Sequence, residues 1–165
     1  MVTLHRITPT LSASYKTVRL CALQDTPSAF GSTSARESQF SETDWHSRAA
    51  NLCTQQSIGY LAYHQDEYCG IACGFLDQQV PRSAELVSMW VAPNHRRAGT
   101  GTLLVNAIES WARLCAAHTL RLMVTNNNLA AISFYERLGF TKNGRTEPYP
   151  NDPNLIEYEM SKLLL

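Results

Sequence analysis

Residues 84–92 read AELVSMWVA, 93–101 read PNHRRAGTG, and 102–105 read TLLV. A nine-residue run with apolar side chains at both parities reads as a strand covered on both faces, the habit of a central strand in a layered fold. Pro93 ends it, because a proline has no amide to give a ladder. After the loop, Leu103, Leu104, Ala107, Ile108, Trp111, Leu114 and Cys115 recur on one helical stripe, with Asn106, Glu109, Ser110 and Arg113 opposite. A doubly covered strand running straight into an amphipathic helix requires a sheet with helices packed on it. That excludes all-β sandwiches and plain helical bundles.

The flanks fit the same frame. VTLHRI (2–7) predicts a first strand, and Leu11, Tyr15, Val18 and Ala22 a first helix, broken by Pro27 and Gly31. Ser34 with Glu37, and Ser41 with Asp44, have capping-box spacing. They predict one broken or two short helices between 33 and 52. SIGYLAYH and EYCGIACGFLD read as strands of a hairpin turning near Gln65–Asp66. LRLMVT (120–125) is a further short strand. Ala131, Phe134, Tyr135 and Leu138 mark a helix closed by Gly139. FTKNGR and LIEYEMSK are two last strands around a loop containing EPYPNDP. The expected order is β-α-α-β-β-β-α-β-α-β-β: a mixed α/β fold with a largely antiparallel central sheet and one βαβ unit. No linker divides the 165 residues, so 1–165 is expected to be a single domain.

Composition narrows the function. Lys plus Arg and Asp plus Glu number 14 each, so the formal net charge is zero, against a nucleic-acid-binding surface. Five cysteines without a CxxC pair suggest a reducing compartment. Neither they nor the dispersed histidines form a metal motif, so no metal is expected. The N-terminus lacks the apolar segment of a signal peptide, and no run approaches the ~20 apolar residues of a membrane span. The expectation is a cytoplasmic protein with no membrane association.

The loop after the buried strand carries the chemistry. The first amides of a helix have no acceptor within it and present partial positive charge. Glycine lets a ligand approach the backbone, and arginine supplies planar donors for phosphate. Arg96, Arg97, Ala98, Gly99, Thr100 and Gly101 therefore read as a seat for a phosphate or pyrophosphate. The dinucleotide fingerprint fails because position 104 is leucine rather than glycine, and no Gly-x-x-x-x-Gly-Lys-Ser/Thr string occurs.

These residues resemble the acyl-CoA loop of the GNAT superfamily of N-acetyltransferases, Arg/Gln-x-x-Gly-x-Gly/Ala, which Arg96 to Gly101 match. The Val91–Ala92–Pro93 strand end and the Leu103–Leu104 helix start are similar to that family's too. So is its pattern Asn-x-x-Ala-x-x-x-Tyr-x-x-x-Gly-Phe, met by Asn128, Ala131, Tyr135, Gly139 and Phe140. The resemblance is densest over 84–145, and the order of elements extends it along the chain.

It implies an acyl-CoA-dependent N-acetyltransferase that uses acetyl-CoA as cosubstrate and an amine as acceptor. The loop from Arg96 to Gly101 would hold the CoA pyrophosphate. The Met89 amide would polarise the thioester carbonyl, and Val91 and Asn128 would contact the pantetheine arm. Tyr135 would protonate the departing thiolate, and Glu85 would serve as general base, where several members carry a glutamate. Strand alternation places Glu85, Val87, Met89 and Val91 on one face. The bland alternatives are a core aromatic for Tyr135, an N-cap for Asn128 and an ion pair with Arg82 for Glu85. No cysteine has a histidine partner in sequence, which favours direct attack in a ternary complex over a thiol relay. Asp25, Glu37, Glu42, Asp44, Glu147 and Asp152 fall in regions that would wall the acceptor site and are candidates to attract a cationic amine. The EPYPNDP loop would border that site or the interface of a homodimer. The alternative function is a non-catalytic acyl-CoA-binding or regulatory module on the same fold.

Overall fold

The computed structural model describes residues 1–165. Its strands are β1 (Thr3–Arg6), β2 (Ser57–His64), β3 (Glu67–Leu76), β4 (Ser83–Val91), β5 (Thr119–Thr125), β6 (Thr141–Pro148) and β7 (Ile156–Leu163). Its helices are α1 (Ser12–Asp25), α2 (Ser34–Glu37), α3 (Glu42–Ala50), α4 (Thr100–Leu114) and α5 (Leu129–Arg137). The helical segment expected between 33 and 52 is two short helices. Ser41 and Asp44 form a reciprocal capping box on α3. Ser34 does not cap α2: Thr33 accepts from the Arg36 amide instead.

All strands join one sheet in the order β1-β2-β3-β4-β5-β7-β6, and only β4–β5 is parallel. The mixed, largely antiparallel α/β architecture is as expected, with β4 in the middle. One core lies between the sheet and α4 and α5, around Leu104, Ile108, Leu120, Leu122 and Phe140. A second lies under α1 and α3, around Tyr15, Leu23, Trp45, Leu61 and Ile71. Gly70 and Gly74 on β3 let α4 come close, since a Cβ there would meet Leu104 at 3.1 Å and Trp111 at 2.8 Å.

Three details of the α4 stripe differ from the sequence pattern, the first being that Leu103 is exposed. Leu114 is the last helical residue and is exposed, because the chain turns away before it can reach the sheet. Glu109, placed on the polar side, is buried and accepts from Lys162 on β7 at 2.8 Å. The last hairpin is longer than expected at β6, which runs on through Glu147 and Pro148. No helix is long and apolar enough to cross a membrane.

Candidate active site

The parallel pairing of β4 and β5 covers only Ser83↔Thr119, Ala84↔Leu120 and Glu85↔Arg121. Beyond Glu85 the two strands part. The gap is a narrow cleft lined by Leu86–Met89 of β4, Leu122–Thr125 of β5, Phe30, Asn128 and Tyr135. Strands that part inside a sheet leave amides and carbonyls without ladder partners, and such groups are costly unless something bonds them.

A bulge decides which β4 groups face this cleft. Cys73 pairs with Val87 and Ile71 with Trp90, so Ser88 and Met89 both oppose Ala72. Ser88 has φ 57°, a left-handed conformation costing a non-glycine residue about 1–2 kcal/mol. The Ser83 carbonyl accepts from Asp77, next to β3, at 2.8 Å, and the Ala92 amide donates to Cys69 on β3 at 2.8 Å. In an unbroken strand two such residues share parity, whereas 83 and 92 do not. The extra residue turns the amides of Met89 and Val91 from β3 toward the cleft.

The same bulge overturns the expectation that Glu85, Val87, Met89 and Val91 share a face. Val87 packs toward the α1–α3 core, while Met89 and Val91 pack toward α4. One inserted residue exchanges the faces of everything after it.

The arginine–glycine loop follows β4 beyond the cleft: Gly101 backs onto Met89, and Ala98 and Thr100 border a separate depression with His64 and His95. Arg96 bonds its amide to Pro93 at 3.3 Å, and Leu103 bonds its amide to Gly99 at 3.0 Å. Between them, Arg97, Ala98, Gly99, Thr100, Gly101 and Thr102 donate no backbone amide within the chain. Left-handed residues at Arg97 (φ 62°) and Gly99 (φ 86°) curl this run, and no side chain caps α4. A Cβ on Gly99 would meet nothing within 4 Å, so the space beside it is open. Gly101 serves packing as well: a Cβ there would lie 3.1 Å from Phe134 and 3.3 Å from Met89. A row of free amides at a helix start, beside open space, suits a pyrophosphate.

The two arginines divide their work. Arg96 donates to the Val91 carbonyl at 2.8 Å and pairs with Asp25 at 2.5 Å, where Trp90 also donates at 3.0 Å. Its guanidinium ties the loop to β4 and to the end of α1. The Arg97 side chain is exposed and forms no ion pair.

Tyr135 is buried on α5 and lines the cleft, and burial pushes its phenol well above the usual range. It is therefore a core aromatic and a cleft residue together. Asn128 likewise caps α5, accepting from the Ala131 amide at 3.2 Å, and lines the cleft. Glu85 faces away from α4, and its ion-pair partner is Arg121 at 3.5 Å rather than Arg82. Arg121 also binds Glu159 at 3.1 Å and Asp77 at 2.5 Å. Burial raises the Glu85 carboxyl; Arg121 opposes this, and Asp77, Glu159 and Glu147 reinforce it.

Four of the six acids proposed to attract a cationic amine already have partners, among them Asp152, which accepts from the Asn154 amide at 2.9 Å. Asp25 is held by Arg96 and Trp90, Glu37 is buried between Arg19 and Arg48, and Asp44 caps α3. Glu147 lies across from Glu157 at the β6–β7 end. Tyr149, in the EPYPNDP loop, is buried with its hydroxyl 2.6 Å from the Phe30 carbonyl and 3.1 Å from that of Pro27. That loop therefore braces a segment lining the cleft. Cys69 and Cys73 are buried, and burial pushes the Cys73 thiol up to about 12. Such a thiol holds its proton and is a poor nucleophile.

Sequence reasoning missed Ser88, Phe30 and Arg121. Arg121 carried a signal, a charge in the middle of an apolar strand. Ser88 and Phe30 carried none.

Over 56 residues the chain is 38% identical to the uncharacterized N-acetyltransferase YobR of Bacillus subtilis, 34% of this chain and 23% of that protein. The matched stretch thus spans only about a quarter of its curated relatives. An acetyltransferase of the GNAT family from Streptococcus pneumoniae superposes with a TM-score of 0.83 at 19% identity, covering 99% of both chains. YncA of Salmonella typhimurium, solved with its cofactor acetyl-CoA, superposes with a TM-score of 0.81 at 17% identity, covering 100% of this chain and 95% of that one. Both likenesses are of fold. The model of the acetyltransferase (GNAT) family matches residues 21–140, taking in the bulged strand, the open loop and Tyr135 together, and this chain belongs to that family.

Proposed function

We propose that this chain transfers the acetyl group of acetyl-CoA to a primary amine, by direct attack in a ternary complex. The observation that carries the reading is the run of free amides from Arg97 to Thr102, which follows the strand walling the cleft between β4 and β5. The residues fit the cosubstrate: the amide row suits its pyrophosphate, and the apolar cleft, closed at one side by Tyr135, suits a pantetheine arm and acyl group. Acetyl-CoA supplies an activated thioester. The amides of Met89 and Val91, turned outward by the bulge, orient the carbonyl and the arm, and the Met89 N–H is a fixed donor where negative charge develops. Glu85 takes the proton that the ammonium must lose, and its raised affinity for protons makes it a better base than an exposed glutamate. Tyr135 keeps its proton at every working pH and donates it to the departing sulfur. The nitrogen loses two protons: the first goes to Glu85 and from there to solvent, and the second, shed as the adduct collapses to the amide, replaces on Tyr135 the proton given to sulfur. The carboxylates of Glu85, Glu147 and Glu157 on the acceptor side favour a cationic amine.

Calorimetric titration with acetyl-CoA, beside ATP and NADH, tests the reading. Micromolar acetyl-CoA binding is expected and NADH should be silent; a folded protein that ignores acetyl-CoA refutes it. With an amine found by screening for CoA thiol release, Tyr135→Phe should lower kcat about 100-fold and leave acetyl-CoA affinity within about 3-fold. An unchanged kcat would remove Tyr135 from the reaction, and a screen without thiol release would favour the binding module.

A further inference from the structure

Ser88 gives the bulge its left-handed turn, yet serine has no intrinsic preference for that conformation. Something outside the strand must hold it. The Ser88 hydroxyl accepts from Nη1 of Arg19, on α1, at 3.3 Å. Arg19 is itself fixed. Its Nε and Nη2 grip the Glu37 carboxylate at 3.1 and 3.0 Å, and its guanidinium lies 5.0 Å over the Phe30 ring. Arg48, from α3, donates at 2.6 Å to Oε1 of Glu37, the oxygen that also accepts from Arg19 Nε. Arg19 and Glu37 are both buried, with side chains 8% and 2% exposed. An arginine fork anchored on one edge by a carboxylate is rigid, so its remaining amino group presents a donor at a fixed point.

We infer that Arg19 is a positioning residue for acyl transfer: anchored by Glu37 and Arg48, it holds Ser88 in the bulge that turns the Met89 and Val91 amides into the cleft. It touches neither cosubstrate nor acceptor in this role. It acts through the backbone, by fixing which edge of β4 those two amides occupy. The link to catalysis rests on the proposed role of the Met89 amide, whereas the link to the bulge stands without it.

Two readouts separate these links. The first is amide hydrogen exchange in the ligand-free protein. Met89 and Val91, facing the cleft, should exchange at least about 10-fold faster than Trp90 and Ala92, which face β3. Arg19→Gln keeps the Glu37–Arg48 pair and removes the fork; it should erase that alternation. Ser88→Gly should keep it, since glycine adopts the turn unaided. Arg19→Gln in the Ser88→Gly background should therefore keep it too. Ser88→Ala, which loses the hydroxyl and retains the unfavourable turn, should behave like Arg19→Gln and serves if Arg19→Gln does not fold. The second readout is the infrared carbonyl stretch of bound [1-13C]acetyl-CoA, which needs no acceptor. It should shift toward its free-solution frequency in Arg19→Gln and return in the Ser88→Gly double variant.

Wild-type alternation retained in both Arg19→Gln and Ser88→Ala would overturn the inference. So would equal loss with and without Ser88→Gly. Exchange results as expected with no acetyl-CoA binding would leave Arg19 as the anchor of the bulge and refute the proposed function instead.

Discussion

Two strand–helix junctions lie side by side at the open end of the sheet, and they are finished differently. At the β5–α5 junction Asn128 accepts from the Ala131 amide, so a side chain caps the helix start, and only the Asn127, Leu129 and Ala130 amides are left over. At the β4–α4 junction no side chain does this, and the amides from Arg97 to Thr102 are left over. Both helices follow strands that wall the same cleft, in the same family of βα connection. A capped helix start is finished structure. An uncapped one, held open by left-handed turns and faced by empty space, is a stored binding capacity. The difference locates the seat more sharply than the cleft does, because the cleft lining reaches the capped junction, at Asn128 and Ala131, and none of the loop from Pro93 to Gly101.

The most direct way to break the contrast is to give α4 the kind of cap that α5 has. Gly99→Asp puts a carboxylate at the N-cap of α4, where it accepts from the first-turn amides and repels a pyrophosphate. Acetyl-CoA affinity should fall by about 1000-fold, or roughly 4 kcal/mol, as read by calorimetry. Thermal stability should change far less, since the cap gained offsets the strain of a side chain at a positive φ. Retained affinity would mean that the amide row is not the seat.

The strands leading to the two junctions differ as well. β4 brings Glu85 and β5 brings Arg121, paired at the last rung before the strands part. Burial raises Glu85, so its ionised form, the base, is lost as pH falls through a value above the ordinary carboxylate range. The acid limb of kcat/KM should therefore lie above that range, with activity rising as pH rises through it. Glu85→Gln should lower kcat about 100-fold and flatten the limb. A limb that survives the substitution belongs to another group. Glu37 gives the opposite sign. Although burial alone would raise it, Arg19 and Arg48 prevail and hold it down to about 2. Its contribution to stability is full above the ordinary glutamate range and is lost as pH falls toward 2. Roughly 3 kcal/mol is at stake, and denaturant midpoints between pH 5 and about 2 would read it.

The β4–α4 junction could be read from the sequence and the bulge could not, for a physical reason. A positive φ at residue 99 is recorded as glycine, and an anion seat as arginine beside it. Turn chemistry is local, so both survive in a short string. The same locality made the Ser41–Asp44 box readable. Ser88 turns left-handed under a force supplied by Arg19, 69 positions earlier. Nothing in the string SMW records that, so period-2 alternation carried Glu85 and Met89 to the same face when they lie on opposite ones. Glu109 and Asp25 were misjudged for a related reason. Charge looks solvent-facing in a helical pattern until Lys162 or Arg96 arrives from another element. Tyr135 and Asn128 show a third case, in which the fold-building and the site-building readings of one residue are both met.

Asn128 allows the finest test of the contrast, because its two side-chain groups can be separated. Its Oδ1 is spent on the Ala131 amide, which leaves Nδ2 as the group with a hydrogen bond to give toward the cleft. Asn128→Ala removes both groups. It should cost about 1 kcal/mol of stability and weaken acetyl-CoA binding by about 3-fold to 10-fold, the loss of one hydrogen bond. Asn128→Asp keeps an acceptor for Ala131 and removes the donor. Stability should return to that of the parent protein while the affinity loss remains, as read by thermal melts beside calorimetry. If affinity instead recovers together with stability, Asn128 only finishes the helix, and the division between a closed junction and an open one is complete. If affinity stays low while stability recovers, the capped junction still lends its side-chain donor to the ligand, and the two junctions differ in degree: six backbone amides left over on one side, and three with one side-chain amide on the other.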